Sequence, residues 1–462
     1  MRTQFDRRFV LGGTITKVRA VLILLACLPA LSSADSVEVA GLKGGVTHSF
    51  VRNQESAEIC WAYALAGLSE GEYIKQHPMN WVILSPEYLG FYHIYFQLKL
   101  NLKYFYDLAT TLENTPADEA DKKKQEDIAK AYQFVKASGV KLVNKRFRDG
   151  DPQPDVQTTQ PPVDANTFFD PDMGSTEANA LDEIKTVGMI PALNFPLKVE
   201  SQDLETKLEA AIPQFIGKYM LSTQSLNDFK GVADDGINDA LFKALASMLE
   251  TSLHLSPPRP HDVFYYNKTQ YNALTFMKNF LKFNPDDFVA LQVDQASQAK
   301  ALDAVQAALK LNYQVPVGIS LFNEQMNQAP ISGRFTEEDC PNKNCTDPAG
   351  GHELLAVNWL QKDDKITGLI VKNSWGTTDA NGAAFGLDAN GNKTTDPKQA
   401  GYFVVTSDFL SQGFSQDASN GWDIVLPRTV QQDQKFADIK IELPSDTLGD
   451  GSLPASSKGD RH

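Results

Sequence analysis

Cys60 is the residue whose setting most suggests chemistry. It opens a stretch, Trp61 to Gln76, in which Trp61, Ala64, Leu65, Leu68 and Tyr73 recur at three-to-four spacing, the mark of a helix with an apolar face. A thiol at a helix N-terminus feels the positive end of the dipole, which favours the thiolate, the form that attacks carbonyl carbon. A lone cysteine can equally be a small packing residue, so its neighbours decide. Gln54, six residues upstream, brings a side-chain amide that can join the Cys60 backbone N–H around an oxyanion. Gly351-His352 precedes the apolar run Leu354-Leu355-Ala356-Val357, which reads as a core strand with an imidazole at its mouth, placed as a general base. A second strand, Leu369-Ile370-Val371-Lys372, runs into Asn373-Ser374-Trp375-Gly376. There the asparagine can orient the imidazole and Trp375 can shield that hydrogen bond from water.

These segments carry a resemblance. Asn53-Gln54-Glu55-Ser56-Ala57-Glu58-Ile59-Cys60-Trp61-Ala62-Tyr63 resembles the nucleophile segment of papain-like cysteine peptidases, and Val371-Lys372-Asn373-Ser374-Trp375-Gly376 resembles their asparagine segment. Gly401-Tyr402-Phe403 matches the glycine-aromatic-aromatic strand that follows it. Gly174-Ser175 through Val187-Gly188-Met189-Ile190-Pro191 resembles the family's second helix and its exit, and Ala301 to Ser320 the helix and strand before the histidine. Leu84-Ser85-Pro86-Glu87-Tyr88-Leu89, ahead of Phe91, Tyr92, Tyr95 and Phe96, is similar to the bleomycin hydrolase branch. The resemblance implies an α+β, two-lobed fold, with a helical lobe around Cys60 and a β-barrel-like lobe carrying His352 and Asn373. It implies Cys60 as nucleophile, His352 as base and acid, Asn373 as orienter and Gln54 in the oxyanion hole. Gly174 and Trp375 would line the substrate groove.

Three departures are specific. Ala57-Glu58-Ile59 stands where the family has small residues, and a bulky Ile59 is expected to reshape the cleft. Met173 replaces one glycine of the pair ahead of Ser175. Glu353 follows His352, and a nearby carboxylate is expected to raise the histidine's pKa.

Composition narrows the alternatives. The chain has 462 residues, 42% of them hydrophobic, and 58 Asp+Glu against 43 Lys+Arg give a net charge of −15. Such an acidic balance argues against nucleic-acid binding, which needs clustered cations. Residues 1–34 combine Arg2, Arg7, Arg8, Lys17 and Arg19 with an apolar stretch from Ala20 to Leu28 and a small-residue Ser32-Ser33-Ala34 site, the order of an export signal. The apolar stretch is too short for a membrane span. Lipid anchoring at Cys27 is the weaker alternative. In an oxidising compartment Cys340 and Cys345, close in a turn-rich loop, are expected to form a disulfide, leaving Cys60 unpaired with another cysteine. His352 alone does not add enough ligands for a metal there, and no cofactor is expected.

Cys60 and His352 lie 292 residues apart, against about 130–150 in papain-type enzymes. The surplus falls in two expected helical insertions, 96–172 and 197–296. The second contains Leu204–Ile216, Ile237–Leu253 and Tyr271–Phe283, all apolar at helical spacing. The helical lobe then occupies 35–95 and 173–196, the β lobe 297–443, and a Ser/Gly/Asp-rich tail 444–462. The expected activity is hydrolysis of a peptide or protein substrate. A transamidase using the same thioester, or a papain-like scaffold kept for binding, are the alternatives. The export signal makes one direct prediction: protein recovered from a secreting host begins at Asp35 by N-terminal mass analysis, and retention of Met1 would contradict it.

Overall fold

The computed structural model describes residues 38–39, 46–54, 57–97, 99, 122, 175, 177–195, 239–254, 256–322, 332–336, 348–379, 381–416, 422–437, 439 and 441–442. The expected export signal, the first insertion beyond 99 apart from 122, Leu204–Ile216 and the tail lie outside these residues.

Six helices of ten or more residues are described. α1 is Cys60–Gln76 and α2 covers 86–97. α3 is Glu177–Val187, α4 is Asp239–Leu253, α5 is Gln298–Lys310 and α6 is Ser407–Gln416. α2 starts by the usual rule: the Ser85 hydroxyl accepts from the Tyr88 backbone N–H at 3.1 Å and Pro86 takes the first helical position. α1 departs from its expected single apolar face, because it is buried on nearly every side, Ser69 and Glu70 included. The helix expected over Tyr271–Phe283 is a single α turn, Ala273–Thr275, capped by Asn272, that passes into a π-helix, Phe276–Leu281.

The strands are β1 Glu38–Val39, β2 Phe264–Tyr266, β3 Thr269–Tyr271, β4 Phe288–Val293, β5 Val315–Phe322, β6 Arg334–Phe335, β7 Pro348–Lys362, β8 Lys365–Lys372, β9 Tyr402–Thr406, β10 Trp422–Pro427 and β11 Ile441–Glu442. β2 and β3 form a hairpin, and the others form one sheet in the order β11-β4-β10-β5-β7-β8-β9-β6, with β1 added to β7. Only β6 with β9 is parallel among the described pairs. The edges β11 and β6 do not pair, so the expected barrel-like lobe is an open sheet. β4 also corrects the second insertion: residues 288–293 are a sheet strand within the span expected to be helical.

Side-chain alternation gives the sheet two apolar faces. Val289, Leu291, Val293, Val317, Ile319, Leu354, Ala356, Ile424 and Leu426 join a core with α5, whose Ala301, Val305 and Ala308 are buried there. Phe288, Ala290, Leu355 and Val425 join a second core built mainly from α1, α2, α3 and α4.

α1 lies close on this second face because of two glycines one turn apart. A Cβ at Gly67 would come within 2.7 Å of Leu355 Cδ2 and 3.3 Å of Lys372 Nζ, and one at Gly71 would overlap the buried Gln314 amide. Charges are sealed into the seam. Arg52 Nη2 meets Glu70 Oε1 at 3.1 Å, with the Glu70 side chain 1% exposed. Arg52 Nη1 also donates to Leu84 O at 2.7 Å, and the Leu84 N–H donates to Glu70 at 2.8 Å. Lys372 Nζ donates to Ser49 Oγ at 3.0 Å. Removing one partner of a buried pair strands the other, at about 3–5 kcal/mol. Arg52→Met should therefore lower unfolding stability by roughly that much in a urea titration, and a change within error would show that Glu70 does not depend on it.

Candidate active site

α1 begins at Cys60. Ile59 stands at its N-cap without a side-chain bond and no acidic residue occupies its first turn, so no side chain there offsets the positive end of the dipole. Cys60 is half-buried and in no disulfide. Ile59 does not reshape the cleft as expected. Ala57 and Ile59 are 1% and 0% exposed, packed in the helical core, while Glu58 alone of the three faces solvent.

The histidine and asparagine meet where strands end. β8 stops at Lys372, opposite Leu355, and the chain turns away at Asn373. Residues of β7 ahead of Leu355 have no β8 neighbour, and His352, paired on its other side with Ile319 of β5, reaches Asn373 across that gap. His352 Nε2 and Asn373 Oδ1 are 3.0 Å apart. Oδ1 also accepts from the Ser374 backbone N–H at 2.7 Å, which identifies it as the oxygen. Nε2 is therefore the protonated nitrogen, and Nδ1 is left as the ring's acceptor. Trp375 stacks on the imidazole, centroids 4.5 Å apart and planes 18° apart.

His352 and Asn373 are buried. Burial pushes the His352 pKa down to about 4, against the opposing Asn373 bond. The expected upward push from Glu353 is not found. Successive strand residues point to opposite faces, and Glu353 lies on the α1 side, beside Tyr63 and Ala64. Lys372, also in that seam, is lowered to about 8 by burial, with Glu70 opposing and Arg52 adding to the drop.

Gln54 ties the two halves together. Its backbone N–H donates to Ser374 O at 2.7 Å, its Nε2 donates to Ala57 O at 2.6 Å, and its Oε1 accepts from the Ser374 hydroxyl. The Gly376 N–H donates to Arg52 O at 3.1 Å, and Asn53 bridges Trp375. The loop leading to Cys60 is thus strapped onto the segment that follows Asn373. One of the two Nε2 N–H groups is committed to Ala57, and the amide has a second N–H to donate.

Gly174, Cys340 and Cys345 lie outside the described residues. Among the described residues no group of three or more His, Cys, Asp and Glu side chains is arranged to hold a metal. Sequence reasoning missed the brace from Ser374 to Gln54 and the charged seam. The available signal was charge inside apolar runs: Glu70 within α1 and Lys372 at the end of β8, since charged residues are rarely buried without partners.

No protein-family model and no curated protein matches the chain. Among solved structures, PepW from Lactobacillus rhamnosis HN001 (DR20) matches with a TM-score of 0.50 at 15% identity, over 86% of this chain and 83% of that chain. The fold is papain-like. Xylellain, a cysteine protease from Xylella fastidiosa, matches with a TM-score of 0.34 at 14% identity, over 82% of each chain. Digestive procathepsin L 3 of Tenebrio molitor larval midgut matches at 0.31 and 13%, over 87% of this chain and 73% of that chain.

Two histidine rings, buried His352 and half-buried His48, have lowered pKa values. His48 is also lowered to about 4, by burial first and Lys372 second. Each ring has a folded pKa below its unfolded value of 6.5. Between about 4 and 6.5 each ring binds more protons unfolded than folded, so its contribution to stability is full above that window and falls as pH drops through it, while Glu72, raised to about 7 by burial, contributes in the opposite sense. From pH 7 to pH 4.5 the urea midpoint of the wild type should shift downward relative to that of His48→Phe. An equal change in both proteins would show that His48 is not held neutral.

Proposed function

We propose that this protein is an exported cysteine peptidase that hydrolyses peptide bonds through a thioester on Cys60. One arrangement carries the reading: the His352–Asn373 pair under Trp375, strapped through Gln54 and Ser374 to the loop that delivers Cys60. The papain-like fold supports it.

In this reading neutral His352 takes the Cys60 proton at Nδ1, and the thiolate attacks the scissile carbonyl carbon. The carbonyl's electron pair moves to oxygen, where the Cys60 backbone N–H and the second N–H of Gln54 Nε2 receive it. As the tetrahedral centre collapses, the C–N bond breaks and the departing amine takes the proton from His352. Water then gives a proton to Nδ1 while its oxygen attacks the thioester, releasing the acid and restoring the thiol. Asn373 holds the ring through both halves by keeping Nε2–H engaged, and Trp375 keeps water off that bond. The substrate is a peptide or protein segment, with Gly174 and Trp375 along its groove.

Mass spectrometry after treatment with an epoxysuccinyl peptide tests the thiol. Stoichiometric labelling of Cys60, lost in His352→Ala, is the expected result. Cys60→Ala should reduce hydrolysis by at least about a thousandfold. A folded protein whose Cys60 stays unlabelled would favour the binding scaffold, and product joined to an added amine faster than it is hydrolysed would favour the transamidase.

A further inference from the structure

Asn373 raises a question that the proposed mechanism leaves open. Its Oδ1 accepts two hydrogen bonds, from His352 and Ser374, yet its Nδ2 is buried with no hydrogen-bond partner among the described residues. Asn373 is 2% exposed, so bulk water does not serve these N–H groups, and a buried donor left unmet costs about 1–3 kcal/mol. Rotating the amide does not help, because it would break both Oδ1 bonds.

Asn373 lines a small cavity between α1 and the ends of β7 and β8, with a volume of about 20 Å³. One water needs about 10–15 Å³ by the same measure and two to four polar partners. The other polar side chains in the wall are Arg52, Tyr63, Glu353, Lys372 and Ser374. Arg52 and Lys372 are donors only. The single Tyr63 O–H is directed at Asn53 O or Glu87 and the Ser374 O–H at Gln54, so these two oxygens offer only lone pairs to a further donor. Glu353, 4% exposed, brings the one carboxyl group in the wall, with two oxygens that can accept. Its place is set by alternation along β7, which sends His352 to one face and Glu353 to the other.

We propose that this cavity is a binding site for one ordered water, which accepts from Asn373 Nδ2 and donates to the Glu353 carboxylate. Glu353 is then a positioning residue. Through the water it fixes the amide that fixes His352, from the opposite face of the same strand. The inference rests on the proposed peptidase reading only where it speaks of rate; the water and the amide's orientation are independent of it.

The test uses the full chain and three variants. Crystals diffracting well enough to show ordered water should place one within hydrogen-bond distance of both Asn373 Nδ2 and Glu353 in the wild type. Glu353→Leu fills the cavity without an acceptor, so the water should be lost. Solvent exchange of the His352 Nε2–H, followed by NMR, should then speed up about tenfold, roughly the effect of one lost hydrogen bond. In a peptidase assay kcat should fall by a similar factor with KM unchanged. Glu353→Gln keeps an acceptor oxygen and should recover most of the loss, whereas a residue needed only for packing would be rescued by Glu353→Met instead. Absence of the water in the wild type, or unchanged Nε2–H exchange in Glu353→Leu, overturns the proposal even if Cys60 reacts. An unreactive Cys60 with the water and the exchange effect both present overturns the peptidase reading and leaves the site standing.

Discussion

The close seating of α1 on the sheet is the constraint from which the site follows. Gly67 and Gly71 remove the side chains that would hold the helix off Leu355, Lys372 and Gln314. At that distance the first turn of the helix, at Tyr63 and Ala64, lies beside Glu353 and Leu355 of β7 and Lys372 and Asn373 at the end of β8. The helix gains little from an amphipathic surface, since it is buried nearly all round. Its position is set by shape on the sheet side and by aromatic packing on the other.

Sealing that seam requires burying charge. Arg52, Glu70, Lys372 and Glu353 all sit in it, two of each sign. Buried ion pairs return little net stability against a hydrophobic alternative, because desolvation offsets most of the attraction. Their effect is specificity: Arg52 and Glu70 both bond Leu84, so they fix where the loop ahead of α2 crosses the helix. Arg52 also belongs to the strap whose next residues reach Ser374 and Trp375. The polar seam and the candidate site are therefore one connected structure.

The imidazole's environment follows from the same burial. With its pKa pushed down to about 4, His352 rests as a neutral ring whose Nε2–H is fixed by Asn373 and whose Nδ1 can accept a proton. A fixed tautomer with a free acceptor nitrogen is the starting state of a general base, although a pKa of about 4 lies below the near-neutral value that serves one best. Trp375 contributes by keeping water from competing for Nε2–H.

The sequence by itself determined the local elements and the chemical groups. Apolar spacing marked α1, short apolar runs marked β7 and β8, the family resemblance marked α5, and the residue types at 54, 60, 352 and 373 suggested an amide donor, a thiol, a base and an orienter. These are legible because helix and strand periodicity are local, and because a resemblance of short segments carries local geometry with it. The tertiary structure decided what depends on which face a residue takes and what lies opposite. Ile59 turned inward to the core instead of into the cleft, and Glu353 took the face away from His352, so its charge did not set the ring's pKa. Residues 288–293 became a sheet strand because Ala290 and Leu291 found apolar cores on both sides, and a short apolar run carries no mark of which partner will cover it. The pairing of Arg52 with Glu70, and the brace from Ser374 to Gln54 across 320 residues, exist only once chain closure brings distant segments together. No spacing along a sequence encodes that contact.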